Sequence, residues 1–223
     1  MGLPLEVRPR WSFRELSECL GIAEPVSPRS GKIIAATYDY VDERGQLLFQ
    51  CLRYEPKDFR QRRPDGNVGW IYNLRGVRRV LFRLPTLQNA KTIFIAEGEK
   101  DVLKLVDLGF VATCNPMGAG KWSPDYSDQL VGKHAVIFPD NDELGRKHAE
   151  LVAHSLQGKA TSVRIVPVPH GKDVSDWIRR GASKAEIEEA IQAAKILESC
   201  PGPPTVDWRD LLIKTERGVP KAV

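Results

Sequence analysis

Carboxylates that end short apolar runs are the residues of this chain best placed to do chemistry. Ile93-Phe94-Ile95-Ala96 runs into Glu97-Gly98-Glu99-Lys100-Asp101, and Val136-Ile137-Phe138-Pro139 runs into Asp140-Asn141-Asp142-Glu143. A third acidic segment follows, Gly171-Lys172-Asp173-Val174-Ser175-Asp176-Trp177. Adjacent parallel strands delivering acids from their C-terminal ends build a divalent-cation site in an α/β sheet. Mg²⁺ takes hard oxygen ligands and keeps several waters, so two or three carboxylates suffice when substrate phosphates complete the shell. An Asp-x-Asp pair can present both carboxylates to one cation where the backbone turns, and Pro139 and Gly145 fit such a turn. A glutamate on the neighbouring strand is then placed to act as general acid or base toward a hydroxyl or water. Crowded carboxylates repel one another, so in the absence of metal at least one should have a raised pKa.

Each group also has a plainer reading. Glu97 and Glu99 suit a helix N-terminus, Asp140-Asn141-Asp142 suits an Asx-rich turn, and Asp173 with Asp176 suits a cap. Their succession at strand ends is what favours a site.

The elements that must carry these acids follow from the apolar pattern. From Thr92 onward, strands at Ile93–Ala96, Val111–Cys114, Ala135–Phe138 and Ser162–Val166 alternate with helices. The first helix, Glu99–Leu108, should turn Val102, Leu103, Val106 and Leu108 inward; the second, Leu144–Leu156, should do so with Leu144, Leu151, Val152 and Leu156. A last helix opens with the capping box Ser183-Lys184-Ala185-Glu186 and runs to about Leu197. Such alternation predicts a parallel sheet covered on both faces.

The segment before it reads as β structure. Ile33–Tyr40 and Leu47–Tyr54 form a hairpin around Asp42-Glu43-Arg44-Gly45, and Trp70–Leu74 and Val80–Leu84 are expected as further strands. Ahead of them, a Pro-rich arm leads to a helix capped by Ser12-Phe13-Arg14-Glu15. The expected organisation is thus an arm and helix over 1–30, a β-rich basic subdomain over 31–90, an α/β domain over 91–198 and a Pro-rich linker or tail over 199–223.

Net charge is only +4, but it is unevenly spread. Between Arg53 and Arg83 stand nine Lys or Arg against three acids, interleaved with Tyr54, Phe59, Trp70, Tyr72 and Phe82. Guanidinium groups pair with phosphates and aromatic faces stack bases, so Arg60, Arg62, Arg63, Trp70, Arg78 and Arg79 are candidate nucleic-acid contacts. The competing reading is a solvated basic hairpin whose aromatics form its packed face. The four cysteines (Cys19, Cys51, Cys114, Cys200) include no Cys-x-x-Cys pair and are read as reduced thiols rather than zinc ligands or disulfides. No window approaches eighteen apolar residues and the N-terminus lacks an apolar signal core, so a cytoplasmic protein with no membrane partner is expected. Gly118-Ala119-Gly120-Lys121 resembles a Walker A loop only superficially. Asn115 stands where its first glycine belongs and Trp122 where Ser or Thr should meet Mg²⁺. The glycines there more simply let backbone pass close to a metal or to substrate phosphates.

Glu97-Gly98 after one strand, Asp140-x-Asp142-x-x-Gly145-Arg146 after another, and Lys172-Asp173-x-x-Asp176 resemble the Toprim domain. That fold is shared by bacterial-type primases, type IA and II topoisomerases and certain nucleases. The Gly98-Glu99-Lys100-Asp101 form of the first motif and the Asn115–Trp122 segment look most like primase–helicase proteins of phages, prophages and plasmids. So does the region from Arg53 through Trp70 to Arg83. The resemblance implies a Toprim-like (Rossmann-like) α/β fold, with helices on both faces of a parallel sheet, preceded by a small β-rich (α+β) subdomain. It implies that Glu97 is the catalytic acid/base or an outer ligand, and that Asp140 and Asp142 hold Mg²⁺ or Mn²⁺ with help from Asp173. Lys100, Lys121, Arg146 and Lys147 become candidate phosphate or template contacts.

The function so implied is that of a DNA primase core, a nucleotidyltransferase. It would make oligonucleotide primers from nucleoside triphosphates on a single-stranded DNA template, with a replicative helicase as partner on the same or another polypeptide. Two alternatives stand beside it: a Toprim-type nuclease, and a non-catalytic nucleic-acid-binding or docking module of a replication complex. A topoisomerase is disfavoured, because it needs a nucleophilic tyrosine on a separate large domain. One departure bears on template selection: the N-terminal zinc module usual in such primases has no counterpart in this sequence. At the other end, Leu211–Ala222 looks like the lead-in to a virulence-associated-E-type helicase domain.

Overall fold

A computed structural model describes residues 32–197. The expected N-terminal arm and helix, the C-terminal tail, Cys19 and Cys200 lie outside that range. The chain divides into two compact units at Arg79/Val80.

The first unit is a four-stranded antiparallel sheet in the order β1-β2-β3-β4: Ile33–Val41, Leu47–Glu55, Asp58–Pro64 and Trp70–Ile71. Asp42 closes the first hairpin, its Oδ1 accepting from the amides of Arg44 and Gln46 at 2.9 and 2.8 Å. Tyr40 and Phe49, directly opposite in the β1–β2 register, stack with centroids 4.5 Å apart. With Leu52 and Tyr54 they are fully or almost fully buried, which satisfies the cross-strand pairing that stabilises such a sheet. β3 corrects the sequence reading. Its Arg60, Arg62 and Arg63 lie in a strand paired to both neighbours, and the expected Trp70–Leu74 strand shrinks to two residues.

The second unit opens with Val80–Arg83, which is not the expected strand. Phe82 N donates to Cys114 O at 3.0 Å, but Arg83 then takes a left-handed conformation (φ 59°) that turns the chain into the short helix α1, Leu84–Leu87. The parallel strands β5 (Thr92–Ile95), β6 (Ala112–Thr113), β7 (His134–Ile137) and β8 (Ser162–Ile165) follow, with β9 (Ile196–Leu197) antiparallel at one edge. The helices are α2 (Glu99–Asp107), α3 (Pro124–Asp128), α4 (Glu143–Leu156), α5 (Val174–Arg179) and α6 (Lys184–Ala193). The capping box at Ser183 and Glu186 is present at the start of α6.

Strand order is β6-β5-β7-β8-β9. From β5 the chain steps through α2 to β6 on one side; from β7 it steps through α4 to β8 on the other. Right-handed crossovers in opposite directions place α2 and α4 on opposite faces of the sheet. They also leave a crevice between the C-terminal ends of β5 and β7, the place where such sheets bind ligands. Glu97 follows β5 and Asp140 follows β7. The core between the layers holds Ile93, Ile95, Val102, Leu105, Ala149, Val152, Leu156 and Ile187.

Several local expectations are corrected. Leu144 and Leu151 face out, 59% and 43% exposed, because α4 buries Gly145, His148, Ala149, Val152, Ala153 and Leu156 instead. Leu103 is exposed, and Leu105 takes the inward position. The last helix ends at Ala193; Ala194 is extended (ψ 133°), and Ile196 and Leu197 pair with Arg164 and Val163. No described helix is long and apolar enough to cross a membrane.

Candidate functional site

Three strand-ending turns bring the acids together, and each is fixed by local bonds. β5 and β7 are in register, and Phe138 N donates to Ile95 O at 2.9 Å, so Glu97 and Asp140 leave the same sheet edge side by side. Gly145 is required beneath Asp140: a Cβ there would sit 2.5 Å from the Asp140 carbonyl oxygen and 2.8 Å from its nitrogen. Asn141 ties in the third turn. Its amide donates to Lys172 O at 2.7 Å, and its side chain donates to Val168 O and Gly171 O at 2.9 and 3.0 Å. That staple carries Asp173 to the edge already occupied by Asp140. Gly171 (φ 96°) makes the bend, and any side chain there would strike Asp176.

Asp101, in the first turn of α2, completes the group. It is buried, and its Oδ1 accepts from both the hydroxyl and the amide of Ser175, which locks α2 to α5. Burial raises its pKa, helped by the neighbouring Asp173 and opposed by Ser175 and Lys100. Burial together with the charges of Glu97, Asp101 and Asp173 pushes the Asp140 carboxyl up to about 7, against the pull of Lys172. The predicted crowding therefore falls on Asp140.

The other expected ligands are engaged as caps. Asp142 is the N-cap of α4, its Oδ1 accepting from Gly145 N at 2.8 Å, and it is exposed. Asp173 is the N-cap of α5, its Oδ1 accepting from Asp176 N at 2.7 Å, while Lys100 Nζ lies 3.5 Å from its Oδ2. Asp142 retains its second oxygen, whereas that of Asp173 already faces Lys100. Among the described residues no three His, Cys, Asp or Glu side chains form a ready metal cage. The donor set nevertheless fits Mg²⁺ or Mn²⁺: it is all oxygen, and the raised Asp140 marks excess negative charge that a cation would relieve. Asp140, with Glu97 beside it at the end of the neighbouring strand, would supply the first oxygens. Asp142 and Asp173 would add their remaining oxygens.

The candidate basic contacts divide. Arg146 and Lys147 pair with Glu143 on the exposed first turns of α4, at 2.9 and 3.2 Å, and Lys121 is exposed at the end of the Gly118–Lys121 turn. In the first unit, alternation puts Arg60 and Arg62 on one sheet face and Arg63 on the other. Arg62 is held twice: Nε donates to Gln50 Oε1 at 2.7 Å, and the guanidinium lies 3.9 Å from the Trp70 ring centroid. Gln50 in turn donates to Asp39 at 2.6 Å, so one polar row crosses all four strands. Arg60 lies 5.9 Å from the Tyr54 ring centroid. Arg78 makes a two-pronged pair with Glu43, both oxygens at 2.7 Å, and Arg79 is exposed.

Asn141, Ser175 and His148 are the site-building residues that the sequence reading did not single out. Asn141 lay between two acids that drew the attention. Ser175 sits between two acids of the third segment and His148 in no acidic motif, and the partners of both are distant in sequence.

Residues 94–178 match the Toprim-like family. The chain is 28% identical over 153 residues to the Gene 57 protein of Mycobacterium phage D29, covering 65% of this chain and 97% of that protein. It is 30% identical over 115 residues to the DNA primase DnaG of Ignicoccus hospitalis, covering 51% of this chain but 25% of the primase. Among solved structures, the primase fragment of the bacteriophage T7 primase-helicase protein superposes with a TM-score of 0.51 at 27% identity, covering 70% of this chain and 61% of the fragment. The chain thus spans about a quarter of that curated primase and 61% of the T7 fragment. A mixed α/β unit with a mainly parallel sheet, preceded in the chain by an antiparallel sheet, is the fold for which these structures are similar. Residues 94–178 are thus similar to the Toprim-like family, in a chain with the fold of primase catalytic cores.

Proposed function

We propose that the chain is the catalytic core of a DNA primase, a metal-dependent nucleotidyltransferase that builds primers on single-stranded DNA in phage, prophage or plasmid replication. The observation that carries this reading is the Asp140 carboxyl, raised to about 7 among Glu97, Asp101 and Asp173 at the crevice between β5 and β7. Such a group is poised to exchange its proton for a cation near neutral pH.

The reaction joins the 3′-hydroxyl oxygen of one nucleotide to the α-phosphorus of a nucleoside triphosphate and releases pyrophosphate. Mg²⁺ or Mn²⁺, when bound, neutralises phosphate oxygens and stabilises the charge that develops there. Asp140 would hold the cation, supported by the second oxygen of Asp142 and by that of Asp173, which Lys100 faces in the metal-free protein. Glu97 accepts the 3′-hydroxyl proton on a carboxylate oxygen or orients the group that does. Asn141 and Ser175 hold the three turns at fixed separation, which reduces reorganisation as the phosphates enter. Lys100, Lys121, Arg146 and Lys147 receive phosphates. Arg60, Arg62, Arg63, Trp70, Arg78 and Arg79 receive the template. A replicative helicase, on the same or a separate polypeptide, is the proposed partner, and the cytoplasm the proposed compartment.

The test is template-dependent primer synthesis with Mg²⁺ or Mn²⁺ by the chain and by Asp140→Asn. Labelled short oligomers made by the former and lost in the latter support the proposal. Cleavage of single-stranded DNA without synthesis would replace it with a nuclease. Salt-sensitive DNA binding alone, equal in both proteins, would leave a non-catalytic binding module.

A further inference from the structure

The acids at the sheet edge fall into two halves that the chain treats differently. On the β7 side the Asp140 carboxyl is pushed up to about 7 by burial and by its acidic neighbours. On the side where α2 meets α5 the acids already have partners. Asp101 offers Oδ1 to the hydroxyl and the amide of Ser175. Asp173 offers Oδ1 to the amide of Asp176 and turns Oδ2 toward the Lys100 ammonium, 3.5 Å away. The same ammonium opposes the burial that raises Asp101. One lysine thus answers two acids from different elements.

The placement of Lys100 runs against local preference. It lies in the first turn of α2, between Glu99 and Asp101, where the helix dipole disfavours a cation. On these helices Lys104, Arg146, Lys147 and Arg179 each pair with an acid three or four residues away on the same helix. The Lys100 pair instead spans 73 residues. What holds a positive charge at this end of α2 is the crowd of carboxylates facing it.

The contact is also loose. Its 3.5 Å exceeds the roughly 2.7–2.9 Å of a strong charge-assisted hydrogen bond. The lysine side chain is 43% exposed and the aspartate 12%, so the ammonium lies on the solvent side of the carboxylate and can leave without unpacking the core. While it stays, Asp173 Oδ2 is not open to a second positive charge, because the two charges would repel at contact distance.

We propose that Lys100 is a resident counter-cation of the acidic site: its ammonium holds Oδ2 of Asp173 until a divalent cation enters beside Asp140, and is then displaced from that oxygen. This rests on the reading of Asp140 as a cation ligand, though not on primer synthesis. Lys100 is a positioning residue that sets how tightly the site takes its metal, and its release is what turns Asp173 from an ion-pair partner into a ligand.

The experiment is Mn²⁺ binding to the full chain, read from the electron paramagnetic resonance of free Mn²⁺ with no nucleotide present. It compares the parent, Lys100→Met, Asp173→Asn and the double variant. Methionine keeps the length of the part-exposed lysine, and asparagine keeps a cap for the Asp176 amide. Lys100→Met should tighten Mn²⁺ binding about tenfold, the low end for two unit charges this close when one is part-exposed. In the Asp173→Asn background the same change should alter binding less than twofold, because no shared oxygen remains. A second reading follows the lysine itself: its Hε–Cε resonance, identified by its loss in Lys100→Met, should shift when Mg²⁺ is added to the parent and stay in place in Asp173→Asn. An equal gain in both backgrounds would reduce Lys100 to a distant charge and overturn the proposal, as would a Lys100 resonance that Mg²⁺ leaves unmoved. Binding within twofold of the parent in Lys100→Met, with binding lost in Asp140→Asn, overturns the proposal and leaves the cation site standing. Mn²⁺ binding that Asp140→Asn does not weaken removes the cation site, and the proposal with it.

Discussion

The two units handle charge in opposite ways. In the antiparallel sheet, several basic side chains are matched by the unit's own groups: Arg62 by Gln50 and Trp70, Arg78 by both oxygens of Glu43. In the parallel sheet, acids are gathered so that one of them, Asp140, is left with its proton near neutrality. Matched charge in the first unit supports the fold, while unmatched charge in the second is held ready for a ligand. A tally of arginines therefore overstates how much of the first unit is free to meet phosphate, whereas a tally of acids understates how strongly the second asks for a cation.

The largest effect should come from removing the unmatched charge. Asp140→Asn should lower primer synthesis by at least about a hundredfold, read from labelled oligomers, as expected when a group on the metal is lost. The same substitution should raise thermal stability in metal-free buffer at pH 8. The sign follows from linkage: an aspartate raised from 3.8 to about 7 binds its proton more tightly in the folded state. Its contribution is therefore full below about pH 3.8 and is lost progressively as pH rises through 7. His148 acts in the other direction. Burial lowers it to about 4, so its neutral form supports the fold above about pH 6.5 and that support is lost as pH falls toward 4. Between about pH 4 and 6.5 the two effects run in opposite directions and nearly cancel, so the melting temperature of the apo protein should change little there and fall as pH rises past 6.5 through 7, and Mg²⁺ should raise it more at pH 8 than at pH 5.

Next in size is Gly145→Ala. Its Cβ would press on the Asp140 backbone, and a cost of about 1–3 kcal/mol is expected by urea denaturation. Ser175→Ala should cost about 1 kcal/mol by the same measurement, since it removes the hydroxyl bond to Asp101 but keeps the amide one.

The smallest effects separate the two kinds of arginine. Arg62→Ala should lower stability by about 1 kcal/mol, because its guanidinium is shared between Gln50 and Trp70. Arg79→Ala, at an exposed position, should leave stability unchanged and reduce the salt slope of single-stranded DNA binding by about 0.7. An equal loss of slope in both variants would erase the contrast between matched and available charge.

The parallel sheet was legible because its strands are brief apolar runs that stop at carboxylates, and a period of that kind has few other readings. β3 was obscured by Arg60, Arg62 and Arg63, which look like surface loop until Gln50 and Trp70 come alongside. Val80–Phe82 is apolar enough for a strand, yet left-handed Arg83 ends it after one sheet bond to Cys114. On α4 Val152 and Leu156 point inward as expected, but Leu144 and Leu151 give way to Gly145, His148 and Ala149, whose small or polar side chains fit against the turns. Glu97, Asp140 and Asp173 could be named from spacing, and Asp173 as a possible cap; that Asp142 caps α4 while Asp101 is buried could not. Such roles depend on partners brought from elsewhere, as Ser175 is brought to Asp101 across 74 residues.

The central claim is that the crevice between β5 and β7 takes a divalent cation on Asp140. Anomalous diffraction from crystals soaked in Mn²⁺ reads this directly. The account predicts a peak within carboxylate bonding distance of Asp140, about 2.1–2.3 Å, close to Glu97 and absent from Asp140→Asn crystals. No peak there, or one that survives in the variant, would contradict it.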